Sequence, residues 1–232
     1  DIILCAIGGD DTYRLLPFLF QDDRLKKVIC EKIFLGFSDT TINHFMLHKL
    51  GLKTFYGQSF LADLCELDND MLPYSKKYFE ELLRTGTIRE ICPSNVWYEE
   101  RTSFDESQIG VPRISHKNNG YKLLQRPSAF SGKILGGCID SIYDIFNNDR
   151  YEDSISLCEE YGLFDVISGV LVGKPIDETY STEYCDLLVK IIDKPELPIL
   201  YNINIGHATP RCIIPFGVNA HVDAEQQVIS FE

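Results

Sequence analysis

Apolar runs of four to seven residues that stop at a glycine and pass at once into a run of helical period recur along this chain. "DIILCAI" (1–7) ends in Gly8-Gly9-Asp10-Asp11, and "TYRLLPFLF" follows as a short helix. "KIFLGF" leads to Ser38, then to a stretch whose Ile42, Phe45, Met46 and Leu50 fall on one helical face. "LKTFYG" (52–57) reads as the next strand. "LPYSKKYFEELLRTG" reads as a helix with Pro73 near its start, Tyr78, Phe79, Leu82 and Leu83 inward, and Gly86 as its stop. Strands alternating with helices in this way predict an α/β fold.

Residues 87 to 132 break the pattern. They hold proline, serine, asparagine and charge with little period, together with the only tryptophan, Trp97. A connection of that length is usually functional or marks a domain boundary. Regularity returns with "GKILGG" and "CIDSIYDIF", then a strand in "DVISGVLVG" (165–173), the helix "STEYCDLLVKII" and the strand "PILYNINIGH" (198–207). The final "CIIPFGVNAHVDAEQQVISFE" alternates and turns like a β-hairpin. The expected organisation is an N-terminal α/β domain over 1–90, a linker and substrate loop over 91–130, and a C-terminal domain over 131–232 that ends in strands.

Composition narrows the function classes. The chain has 232 residues and a net charge of −13, with 35 acids against 22 bases, whereas nucleic-acid binding calls for a basic stripe. The longest apolar runs, such as "GVLVG" and "CIIPFG", are too short to cross a bilayer, and no charged-then-apolar leader argues for secretion. The eight cysteines (5, 30, 65, 92, 138, 158, 185, 212) are scattered, with no C-x-x-C and no Cys/His cluster. They read as reduced thiols of a cytoplasmic protein with neither a zinc site nor a disulfide framework.

Ser38 is the first candidate for chemistry. At the tip of a sharp strand-to-helix turn, a serine is either an N-terminal helix cap or an exposed nucleophile, with the N–H of Asp39 placed to receive an oxyanion. The sequence is G-F-S-D rather than G-x-S-x-G, so local sequence alone favours the cap. Gly8-Gly9 allows close approach of a ligand and can aim N–H groups at an anion, or it simply relieves a tight turn. It matches neither a dinucleotide fingerprint nor a P-loop. His207, just past an apolar strand in "NINIGHATPR", is suited to a general base, although a lone histidine is more often structural. His44 and His48 lie one helical turn apart, but no carboxylate falls in H-E-x-x-H register, so no metal is expected. His116 and His221 carry no distinct signal. Trp97 either plugs a domain interface or stacks on a planar group.

Taken together, "AIGGDDTYRLLPFL", "IFLGFSDTTINHFMLHKLGLKTFYG", "GKILGGCIDSI" and "PILYNINIGHATPRCIIPFGVNAHVD" resemble, in order and style, the LD-carboxypeptidase family of serine peptidases (peptidase family S66). "FYGQSFLADLCELDNDMLPYSKKYFEELL" and the Trp97 segment look more like its microcin C immunity branch. The resemblance implies a Rossmann-like N-terminal domain with a parallel sheet, a smaller β-rich α/β C-terminal domain, and an active site between them. It implies Ser38 as nucleophile, His207 as general base, and an oxyanion hole made by the N–H groups of Gly9 and Asp39. Gly8 and Trp97 would be substrate-binding, with Trp97 stacking on a nucleotide base. The implied reaction is hydrolysis of an amide in a peptidyl- or aminoacyl-nucleotide, giving immunity or detoxification, with no metal or organic cofactor. The implied partners are that small substrate and a second copy in a homodimer, with no nucleic-acid polymer and no membrane. Trimming of murein tetrapeptides is the alternative within the family, and an inactive acyl-nucleotide-binding paralogue is the alternative outside catalysis.

Two departures stand out. The family's triad glutamate ends an apolar strand of the pattern G-K-I-L-F-L-E, yet here "CEEYGLF" (158–164) passes directly into "DVISGVLVGKP". Glu152, Glu159, Glu160, Glu178 and Glu183 sit in helix-like surroundings, so none is assigned to the triad. The family also has a segment and a further strand before "DIILCAIGGDD".

Overall fold

The computed structural model describes residues 2–19, 24–29, 32–146 and 163–232. Strands β1 (Ile2–Leu4), β2 (Ile33–Gly36) and β3 (Thr54–Tyr56) lie parallel in that order. Parallel neighbours need a crossover, and between β2 and β3 it is the helix α1 (Thr41–Lys49), which buries Ile42, Met46 and Leu47 against the sheet. Helix α2 (Pro73–Thr85) starts on Pro73 and stops at Gly86, whose φ of 72° is the left-handed stop that glycine adopts without strain. Tyr78 and Leu82 are fully buried and Phe79 partly so, but Leu83 is 52% exposed. Residues four apart share a row on a helix, and Leu83 stands a further 100° or so round, off the buried row.

The stretch 87–132, read above as irregular, contains short strands: β4 (Glu90–Ile91), β5 (Val96–Tyr98), β6 (Ser115–Lys117), β7 (Lys122–Gln125) and most of β8 (Ala129–Lys133). Runs of two to five residues are too short for a period of two to declare itself. The remaining elements are α3 (Ile139–Phe146), β9 (Val170–Gly173), α4 (Ser181–Ile192), β10 (Ile199–Ile203), β11 (Ile214–Pro215), β12 (Asn219–Asp223) and β13 (Val228–Phe231). Asp165 and Val166, expected at a strand start, belong to a helical turn, Leu163–Val166.

Beyond the first sheet, β7-β10-β9 form a mixed sheet, β4-β13-β12-β8 an antiparallel one, and β5-β6 a separate ribbon. The fold is thus α/β, with parallel and antiparallel sheets. Two strands stitch early and late parts of the chain together: β11 pairs with β3 and completes the first sheet, while β4 pairs with β13. The main core is accordingly continuous, with Leu35, Phe55 and Tyr56 in one cluster with Leu200, Ile203, Ile213 and Ile229. Among the described residues no helix is long and apolar enough to cross a membrane, and no group of three His, Cys, Asp or Glu could hold a metal ion. Cys5, Cys65, Cys92, Cys138, Cys185 and Cys212 are free thiols, whereas Cys30 and Cys158 lie outside the described residues.

Candidate active site

Ser38 follows β2 and opens a 3₁₀ turn, Ser38–Thr40, that feeds α1. Its φ is 62°, a left-handed conformation that costs a residue with a Cβ about 1–2 kcal/mol. Such strain persists only where the surroundings over-determine it. Here the Ser38 N–H donates to Tyr56 Oη (3.2 Å), Thr41 Oγ1 donates to the Ser38 carbonyl (2.6 Å), and Thr40 Oγ1 donates to the Phe37 carbonyl (2.8 Å). The Gly36 carbonyl accepts from the Gly57 N–H (3.0 Å) and from His44 Nε2 (3.1 Å). His44 is therefore a buried prop beneath the turn, and burial pulls its pKa down to about 4, so the ring is neutral. The turn carries no side-chain cap. The Ser38 hydroxyl lies instead 3.0 Å from His207 Nε2.

The Gly8-Gly9 turn packs directly on this serine. A Cβ at Gly8 would stand 3.0 Å from Ser38 Cβ, 3.2 Å from Ser38 Oγ and 3.6 Å from the Asp39 nitrogen. One at Gly9 would stand 3.3 Å from Asp39 Oδ2. A side chain at position 8 would therefore press on Ser38, which would have to give by a few tenths of an ångström. The Asp39 carboxylate is occupied by the N–H and hydroxyl of Thr12.

His207 stands four residues beyond β10, behind Gly206, and its ring meets Phe37 edge-to-face at 5.5 Å between centroids. Partial burial and then the nearby Arg211 guanidinium lower its pKa from the ordinary histidine value, against the opposite pull of Glu100 and Asp140. Among the described residues no carboxylate hydrogen-bonds the ring. Glu178 is paired with the ammonium of Lys174, Glu183 lies in the first turn of α4, and Glu152, Glu159 and Glu160 lie outside the described residues. The sheet β7-β10-β9 ends at β9, and no further described strand pairs with it.

Trp97 sits on β5 directly opposite His116 of β6, and the two rings stack with centroids 4.5 Å apart. His116 Nε2 in turn lies 2.7 Å from Glu99 Oε1. The ammonium of Lys174, whose side chain is wholly buried, lies 4.9 Å over the indole and 3.4 Å from Asn202 Oδ1. The Tyr98 N–H donates to the Thr209 carbonyl (2.9 Å), so the Trp97 ribbon is fastened two residues beyond His207. Sequence reasoning missed His116, Lys174, Tyr56 and Arg211. Of these only Arg211 carried a signal, as the one cation in the His207 stretch "NINIGHATPR".

The arrangement offers a hydroxyl, a nitrogen base in hydrogen-bond reach of it, and a Gly8-Gly9 turn packed beside the hydroxyl and a helix-entry N–H. These are the parts of nucleophilic acyl transfer.

The chain also matches known proteins. The LD-carboxypeptidase N-terminal domain model matches residues 1–57, and the LD-carboxypeptidase C-terminal domain model matches residues 147–222. The microcin C7 self-immunity protein MccF of Escherichia coli is 26% identical over 258 residues, covering 98% of this chain and 72% of that protein. The crystal structure of an MccF-like protein from Streptococcus pneumoniae in complex with AMP is 56% identical with a TM-score of 0.92, covering 100% of this chain and 78% of that one. A structure of MccF in complex with aspartyl sulfamoyl adenosine shares the fold, with a TM-score of 0.82 at 23% identity over 99% of this chain and 75% of that one.

Proposed function

Because the chain belongs to the LD-carboxypeptidase family of serine peptidases, in its MccF-like branch, we propose that it hydrolyses the amide joining an aminoacyl or peptidyl group to a nucleotide-like leaving group. The observation that carries this reading is the 3.0 Å contact between Ser38 Oγ and His207 Nε2. His207, its pKa lowered, is neutral at pH 7 and takes the Ser38 proton as Oγ attacks the scissile carbonyl. The oxyanion so formed faces the N–H groups of Asp39 and Gly9. Collapse breaks the C–N bond, and the His207 proton passes to the departing nitrogen. Water, deprotonated by His207, then releases the acid from Ser38. In this reading Trp97, on the ribbon fastened to Thr209, is the base-binding side.

Two other readings are separable. Murein tetrapeptide trimming uses the same serine and base on another substrate. An inactive acyl-nucleotide binder would bind the same conjugate and turn nothing over. The test offers glutamyl sulfamoyl adenosine and a murein tetrapeptide in parallel, with a fluorophosphonate probe for the serine. Release of sulfamoyl adenosine is expected, together with a probe adduct on Ser38. Release of D-alanine alone would move the function to murein, and binding with neither release nor adduct would leave a non-catalytic protein.

Trp97 gives a second prediction. Removing a stacking aromatic costs about 1–3 kcal/mol per base, so Trp97→Ala should raise KM for the nucleotide conjugate roughly 10–100-fold and leave a tetrapeptide unaffected. As the only tryptophan, Trp97 also reports AMP binding through its own fluorescence. An unaltered KM removes it from the binding site.

A further inference from the structure

The backbone behind the His207 ring and the turn that carries Ser38 are both held by the contacts of one buried residue. Arg211 is 5% exposed. Its Nε donates to the Gly206 carbonyl (2.6 Å) and one Nη to the His207 carbonyl (2.9 Å). The other Nη meets Asp63 Oδ1 at 2.7 Å, in a pair whose side chains are 6% and 2% exposed. The guanidinium plane also lies 4.6 Å over the ring of Phe37, the residue before the serine, and the edge of that ring meets His207. Asp63 is fixed in turn, its Oδ2 accepting the Ser59 N–H at 3.0 Å. The Arg211 N–H itself donates to Ser75 Oγ at 3.0 Å, which locks the arginine to α2.

We propose that Arg211, anchored by the buried carboxylate of Asp63, is a positioning residue of this site, gripping the base by its backbone carbonyl and the nucleophile turn through Phe37. The inference rests on Ser38 and His207 acting as described above. It adds that their 3.0 Å contact is set by a cation behind both, not by the residues that touch substrate. Arg211 has a second effect that packing alone would not produce: its charge disfavours the imidazolium, whereas Glu100 and Asp140, the acids that act on the ring, favour it.

The test compares wild type with Asp63→Asn, Arg211→Lys and the double variant Asp63→Leu/Arg211→Met. A single removal leaves a buried charge unpaired and endangers folding, whereas replacing a whole buried pair with apolar groups is often neutral. The double variant therefore carries the decision, with its fold checked by circular dichroism. Turnover of glutamyl sulfamoyl adenosine is measured across pH. The His207 imidazole is titrated by NMR in ¹³C-histidine protein and assigned with His207→Gln.

In the double variant we expect kcat to fall roughly 10–100-fold with little change in KM, the scale of an ångström-level misplacement. The acid limb of kcat/KM and the NMR midpoint of His207 should both move to higher pH. Arg211→Lys keeps the charge but cannot bond both carbonyls and Asp63, so it should lose kcat while the midpoint stays near the wild-type value. A folded double variant with kcat within about twofold of wild type, or with an unmoved His207 midpoint, overturns the proposal. If wild type hydrolyses nothing offered, the proposed function falls separately, and the NMR midpoints still decide whether Arg211 governs His207.

Discussion

Ser38→Gly should yield a protein about as stable as the wild type and at least about 10²-fold slower, the scale expected for a lost nucleophile. The serine holds φ 62° against a cost of about 1–2 kcal/mol, which glycine does not bear. Lost with the side chain is one solvent-facing hydrogen bond to His207, which offsets a few tenths of a kcal/mol to about 1 kcal/mol. Glycine also costs about 0.5–1 kcal/mol of extra unfolded-chain entropy, so the terms nearly cancel and Tm should stay within roughly 2–4 °C of wild type. A Tm lower by much more than that would mean that Ser38 is not strained. The size of the activity loss carries separate information. In well-studied serine hydrolases, losing the nucleophile costs about 10⁶-fold and losing the acid alone about 10⁴-fold, and the losses are not additive. If His207 works without a carboxylate, Ser38→Gly should cost only on the order of 10²-fold, because the acid's share is already absent. A loss near 10⁶-fold would locate an acid on the His207 ring, supplied from outside the described residues or by a second copy.

The parts of this fold that were legible in the sequence are those in which local pattern and tertiary role coincide. β2, α1 and β3 were readable because a middle parallel strand is apolar throughout and its crossover helix shows one buried face. Pro73 and Gly86 bound α2 through backbone geometry that acts within the residue itself. The strands within 87–132 were not readable, because a strand of two residues such as β4 is defined by its partner β13, more than 130 positions away. The same reasoning applies to the site. Ser38 read locally as a cap; its contact with His207, 169 residues on, is a product of the fold. Asp63 looks like an ordinary surface charge in sequence and Arg211 stands out only by its place in the His207 stretch, whereas their mutual burial across 148 residues is a product of the fold.

Glu66→Gln is the second large effect expected, and it connects stability to the ribbon that bears Trp97. All but 2% of the Glu66 side chain is shielded from solvent. Its Oε1 accepts from Arg101 Nε (2.9 Å) and Nη2 (2.7 Å), and its Oε2 accepts from Arg113 Nε (2.7 Å). Both guanidiniums are nearly buried, and they also bond the carbonyls of Val111 and Glu99. One carboxylate thus clamps the loop joining β5 to β6, which bear Trp97 and His116. Glutamine keeps the shape but cannot neutralise two buried cations, and breaking a buried ion pair from one side costs about 3–5 kcal/mol. Burial pushes the Glu66 carboxyl up, but the hydrogen bonds from Arg101 and Arg113 outweigh it and hold the group below the usual glutamate range. A depressed folded value means that the stabilisation is fully present above the unfolded pKa of about 4.3 and is lost as pH falls through the folded value. Urea unfolding of wild type should therefore show an acid limb below about pH 4 that is flattened in Glu66→Gln. Chymotrypsin should cut the variant first at the exposed Phe104 within the released loop, and AMP should quench Trp97 less. Equal unfolding free energies for the two proteins at pH 7 would show that the clamp contributes nothing, and the ordering of the Trp97 ribbon would then have to come from Lys174 and the Tyr98–Thr209 bridge.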